Sequence, residues 1–106
     1  MPSLQELQGP IDARIVEAVL AVAPESWTRI ALKLETVADG GQVNLAHELW
    51  NLADEKQSAT PDDELYAATR ELYQAYVQHG TPWKVALYVV TVDDDGGARF
   101  QARYSY

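Results

Sequence analysis

Residues able to do chemistry are few in this sequence, and they are widely spaced. Its 106 residues contain no cysteine and two histidines, His47 and His79, which excludes thiolate catalysis, thiolate metal sites and disulfides. His47 alternates with apolar residues in VNLAHELW, the setting of a core or edge histidine. His79 precedes Gly80 at the end of a helical pattern, where a cation favours the negative end of the helix dipole. Two histidines so far apart make no His-rich metal site. Ser3, Ser26, Ser58 and Ser105 sit near ends or in loops, and none lies in a GxSxG elbow. The run Asp93-Asp94-Asp95-Gly96 has the composition of a calcium loop but not its spacing. An EF-hand alternates its ligands and closes on a distal glutamate, whereas these carboxylates are contiguous and Arg99 follows them. Asp39-Gly40-Gly41 is a turn, since neither GxxxxGK nor GxGxxG occurs. One acid pair, Glu35 and Glu48, could meet across a hairpin, with no base or cofactor motif beside it. No catalytic residue, metal ligand or cofactor is assigned, and the chain is expected not to be an enzyme.

What remains is binding. The formal net charge is −8, from 16 acidic and 8 basic residues, a balance that repels nucleic acid and suits a basic partner. The candidate contact residues are Glu48, Trp50, Asp54 and Glu55 along the middle of the chain and Asp93, Asp94 and Asp95 near its end. Trp50 would be the apolar anchor and the acids the steering charges.

The elements that must position these residues follow from periodicity. Leu4, Leu7, Ile11, Ile15, Ala18, Val19 and Val22 recur at helical spacing over residues 3–23, with Pro10 either kinking the helix or opening its main part. Ile30, Leu32 and Leu34 alternate with Arg29, Lys33 and Glu35, predicting a strand over 27–37 that turns at Asp39-Gly40-Gly41. Residues 42–51 predict its partner strand, although NLAHELWNLA also has helical spacing. Residues 52–59 are polar and predict a loop. Thr60 as cap, Pro61 at the first helical position and Asp62, Asp63 and Glu64 at the positive dipole end predict a second helix. Its buried stripe would be Leu65, Ala68, Thr69, Leu72, Ala75 and Tyr76, and Gly80 would end it. Two runs flanking Asp93–Gly97 predict a closing hairpin, one of them with Trp83, Val85, Leu87, Val89 and Thr91 sharing a parity.

The expected fold is α+β in the order α-β-β-α-β-β: one domain over residues 1–106, a four-stranded antiparallel sheet with two helices on one face. The other face would stay open and carry Arg29, Lys33, Glu35, Asn44, Glu48, Trp50, Lys84, Tyr88, Arg99, Gln101 and Arg103. No run approaches the ~20 apolar residues of a membrane span, and MPSLQELQGP lacks the features of a signal peptide, so a cytoplasmic chain without a membrane partner is expected.

The order of these features resembles the YezG-like family of bacterial immunity proteins, the antitoxins of polymorphic toxin systems. The resemblance is carried by IDARIVEAVLAVAPESW, by ETVADGG with its turn, by PDDELYAATRELYQAYVQHG, and by HGTPWKVALYVVTVDDDGGARFQARYSY. Its most specific parts are Pro82-Trp83 after the helix and the ending Phe100, Tyr104, Ser105, Tyr106. The chain departs from the family pattern at residues 51–59, where relatives often carry a longer polar insertion. The resemblance implies an α+β fold without catalytic residues. It also implies a cytoplasmic function: binding a cognate secreted toxin, often a nuclease, and blocking it. The net charge adds the expectation that the nuclease domain is basic and that this chain does not contact nucleic acid directly. The other function class left open is a regulatory or scaffold domain that binds a protein through its open sheet face.

Overall fold

The computed structural model describes residues 3–106. The elements run α1 (Leu4–Val22), β1 (Arg29–Asp39), β2 (Gln42–Asn51), β3 (Asp54–Ser58), α2 (Asp63–Gln78), β4 (Val85–Val92) and β5 (Ala98–Ser105). They build one antiparallel sheet in the order β3-β2-β1-β4-β5.

The α+β class is as the periodicity predicts, but the sheet has five strands rather than four. The additional strand is β3, in the polar stretch expected to be a loop. Its side chains are all exposed, so no alternation marks it. Backbone bonding holds it instead: Trp50 pairs with Ser58, Asn51 with Asp54, and the Ala59 N–H donates to the Leu49 carbonyl at 2.9 Å. A strand with water on both faces leaves no hydrophobic signature.

The ambiguity at residues 42–51 resolves as strand. Gly40 and Gly41 reverse the chain at φ of 57° and 87°, values open to glycine, and a two-residue turn fixes the register of the returning strand. That register sets Leu49 beside Leu32 and His47 beside Leu34, with both side chains toward the core.

In α1, the Ser3 hydroxyl caps the helix by accepting from the Glu6 N–H at 3.1 Å, and Pro10 lies inside the helix. The cap of α2 is Asp62, not Thr60: its carboxylate accepts from the Leu65 N–H at 2.9 Å. Pro61 therefore precedes the helix. The buried residues of α2 are Leu65, Ala68, Thr69, Leu72, Ala75 and Tyr76, the stripe read from the sequence. Gly80, at φ 86°, takes the chain out of it.

Both helices lie on one face of the sheet. Ile11, Ile15 and Val19 of α1 and Leu65 and Leu72 of α2 pack with Ile30, Leu32, Leu34, Leu49, Ala86 and Val90. Each isoleucine, leucine or valine side chain among these contributes about 1.5–3 kcal/mol on burial. Tyr88 belongs to this covered face. It pairs with Leu32 and is fully buried, so its assignment to the open face is corrected. The error traces to Trp83, taken as the first residue of the strand. Trp83 precedes β4 and is buried among the aromatics of the helix side, at 5.1 Å between ring centroids from Tyr73. Lys84 also stands ahead of β4, which leaves Arg29, Lys33, Arg99 and Arg103 as the basic residues of the open face. Among the described residues no helix is long and apolar enough to cross a membrane.

Candidate functional site

The strand directions gather most of the loops that carry acid at one end of the molecule. β1 begins there at Arg29, after the loop that contains Glu25. β2 ends beside it, and the Leu52 N–H donates to the Arg29 carbonyl at 2.9 Å. β4 ends there too, the Val92 N–H donating to the Thr28 carbonyl at 2.8 Å. The helices run antiparallel: Gln8 meets Tyr76 and Arg14 pairs with Glu71, so α2 starts next to the end of α1. Glu25, Asp54, Glu55, Asp62 to Glu64 and Asp93 to Asp95 therefore share this pole. The bases near it are Arg14, Arg29, Lys56 and Arg99; Arg14, which shares a recess with Asp62 and Glu64, is paired with Glu71, and Arg99 with Asp93 at 3.2 Å.

The sequence-predicted contact residues fall into two groups on this end. Glu48, Trp50 and Glu55 line one recess of about 510 Å³ with His47, Ser58 and Ala59. Asp54 opens β3, and its carboxylate accepts from the Lys56 N–H at 3.1 Å. Asp93, Asp94 and Asp95 lie across the sheet, three strand spacings or roughly 14 Å from β3. Two of those three carboxylates also shape their own turn. Asp93 holds Arg99, and Asp95 accepts from the Gly97 N–H at 2.9 Å, while Gly96 makes the reversal at φ 88°. Asp94 is exposed at the tip.

A second constellation escaped the sequence reading. Asp12 lies on α1 but is buried, and it faces Tyr88. Tyr88 Oη lies 2.5 Å from Asp12 Oδ1 and 2.8 Å from Tyr104 Oη. Gln8 Nε2 donates to Tyr104 Oη at 2.8 Å, and Tyr76 Oη donates to Gln8 Oε1 at 2.9 Å. Each phenol has one proton to give. If Tyr88 donates to the carboxylate, Tyr104 must donate to Tyr88. Every proton then points one way, from Tyr76 through Gln8, Tyr104 and Tyr88 to Asp12.

Burial pushes the Asp12 carboxyl above the usual aspartate range, partly offset by hydrogen bonds from Tyr88 and Gln8. Burial also pushes the Tyr88, Tyr104 and Tyr76 hydroxyls upward, so all three stay protonated and serve as donors. This arrangement ties α1 and α2 to β4 and β5. The spacing of Gln8 and Asp12, one helical turn apart beside the apolar stripe, is the signal that could have found it.

His47 sits where β2 meets α2. Its Nε2 lies 2.8 Å from Thr69 Oγ1, its Nδ1 3.1 Å from the Leu45 carbonyl, and Tyr66 packs edge-on at 4.6 Å between ring centroids. Burial lowers its pKa below the ordinary histidine value, against the opposing pull of the Leu45 carbonyl. Glu35 and Glu48 do not form a facing pair: Lys33 is the cross-strand neighbour of Glu48, and it lies 3.7 Å from Glu35. Among the described residues, no group of three His, Cys, Asp or Glu side chains converges to hold a metal ion.

Comparison of the sequence with models of known protein families found no match, and comparison with curated proteins found none either.

Proposed function

We propose that this chain is an immunity protein of the YezG-like kind, which docks its acidic pole on a basic nuclease domain of a cognate toxin and occludes it. The observation that supports this is the gathering of Glu25, Asp54, Glu55, Asp62 to Glu64 and Asp93 to Asp95 at one end of the fold. A field of one sign raises association rates with an oppositely charged cleft, and such carboxylates stand where substrate phosphates would lie. Trp50, half-buried in its recess beside Glu48 and Glu55, supplies an apolar anchor at the edge of the pole.

The experiment is a tagged pull-down from the native host, followed by a nuclease assay on the purified partner. The expected partner degrades nucleic acid and is inhibited by this chain at equimolar amounts. The variant with Asp93, Asp94 and Asp95 changed to Lys folds but inhibits poorly, and association of the parent chain slows as salt is raised. A partner without nuclease activity, or full inhibition by the reversed variant at all salt concentrations, would overturn the reading.

One observation favours the second class, a regulatory or scaffold domain. The open face carries the cross-strand row Trp50, Ala31, Val89 and Gln101, with Leu87 in the next row, so half-buried apolar side chains sit between Arg29, Lys33, Arg99 and Arg103. Such a domain would bind its partner through that row, and Val89→Glu would abolish binding while the acidic reversals left it intact.

A further inference from the structure

Strand β2 leaves part of its outer edge bare. Asp39 and Gln42 close the two-residue turn, so the backbone groups of Gln42, Asn44, Ala46 and Glu48 face β1. Those of Val43, Leu45 and His47 face away from it; the Leu45 carbonyl lies 3.1 Å from His47 Nδ1, and among the described residues the three outward N–H groups have no backbone partner strand. The next outward carbonyl, that of Leu49, accepts from Ala59 at 2.9 Å, and β3 pairs only from there onward, at Trp50 and Asn51. Among the described residues no strand covers Val43 to His47.

Exposed edges normally carry charge that deters pairing. β3 carries Asp54, Glu55 and Lys56, and β5 carries Arg99 and Arg103. The bare segment, Val43-Asn44-Leu45-Ala46-His47, has no formally charged side chain.

Beside this edge runs a groove of about 620 Å³ between β2 and α2. Val43, Leu45 and His47 form one wall, and Tyr66, Arg70 and Val77 the other. Val43 is 50% exposed and Val77 47%, so both walls offer apolar surface to an occupant. Arg70 is the one formally charged residue in the lining, and it belongs to none of the ion pairs among the described residues. In a chain of net charge −8, this groove is a local inversion of sign.

We propose that the groove binds an extended segment of a partner protein, which adds a strand to the bare edge of β2 and sets a carboxylate against Arg70. Outward backbone groups recur every second residue, the spacing at which an extended chain presents its own, and alternate side chains of that chain would drop between Val43 and Val77. A second copy of this chain fits less well, because two-fold pairing of the β2 edges would bring Arg70 toward Arg70 with no acid in the groove to separate them. The site adjoins the Trp50 recess, with which it shares His47, and lies across the sheet from the Asp93 to Asp95 turn.

The test uses short fluorescein-labelled peptides of alternating valine and threonine with a central glutamate, titrated by fluorescence anisotropy and followed by amide exchange. The expected result is saturable binding with new protection at the amides of Val43, Leu45 and His47. Arg70→Glu should weaken it roughly tenfold through a lost attraction and a new repulsion, and a central lysine in the peptide should restore it. N-methylating the peptide at its pairing positions should abolish binding. Reversing Asp93 to Asp95 should leave the titration unchanged, which separates this site from the proposed toxin surface. Absence of binding, indifference to Arg70→Glu, or protection on β5 instead would overturn the proposal. So would protection of the same amides on raising protein concentration alone, which would make the occupant a second copy.

Discussion

Tyr88 Oη lies 2.5 Å from Asp12 Oδ1, and this one contact fastens the middle of α1 to the middle of β4 inside a layer that is otherwise mostly apolar. Removing the hydroxyl in Tyr88→Phe takes a donor from a buried carboxylate and leaves ring packing in place. The expected cost is about 1.5–3 kcal/mol, the range for a hydrogen bond to a charged group. Urea denaturation measures it. A cost near zero would mean that Asp12 is held neutral and that the contact contributes little.

The same carboxylate sets a pH dependence. Burial raises the Asp12 pKa above its ordinary value of 3.8, so between that value and the folded one the native state holds a proton that the unfolded chain has lost. The contribution of Asp12 is therefore fully present below 3.8 and is lost as pH rises through the folded value. Asp12→Asn keeps an oxygen for Tyr88 and removes the titration. The stability difference between Asp12→Asn and the parent chain should grow in favour of the variant as pH rises through this window, and then level off. Parallel curves across the whole acid range would contradict it.

His47 works in the opposite sense. Its folded pKa is lowered by burial, so the unfolded chain takes up a proton near 6.5 while the folded one resists. Stability should fall as pH drops from 6.5 toward the folded value. Hydrogen bonding competes with burial here. The contacts to the Leu45 carbonyl, to Thr69 Oγ1 and from Thr69 to the Tyr66 carbonyl need three protons, which only the imidazolium and the hydroxyl together supply. Burial is expected to prevail, leaving a neutral ring that gives up one of the three. An NMR titration of the His47 ring checks this, and a midpoint above 6.5 would show the hydrogen bonds to be the stronger influence.

Much of the fold was legible because it rests on apolar periodicity. The buried stripe of α2 and the alternation of Ile30, Leu32 and Leu34 were visible directly. β3 was not, because its exposed side chains leave only backbone bonds to define it. Tyr88 was misplaced by one assumption. Counting parity from Trp83 sends the odd positions of β4 to the core and Tyr88 to the open face, since a strand's side chains alternate strictly. The candidate contact residues were legible as charge, but their grouping needed strand order. Glu48, Trp50 and Glu55 share a recess only because β3 folds back on β2, and the Asp93 turn joins the same pole only because β4 lies beside β1. Asp12 was hidden because an acid flanking an apolar stripe looks solvated until its partners, far away in sequence, are brought to it.

The central position of β1 bears on how the chain finds its structure. β1 meets β2 across a two-residue turn, but it meets β4 across roughly half the chain, from Arg29 opposite Thr91 to Glu35 opposite Val85. Two hairpins can therefore form locally and quickly, and the slow event is their side-by-side docking, which must close a long loop containing α2. A docking error of one residue would turn Tyr88 outward and strand Asp12 without its donor. Correct alignment of the two hairpins is thus the one that gives the buried carboxylate its phenolic donor, so the cost of leaving that acid unpaired adds to the apolar penalty against a slipped register.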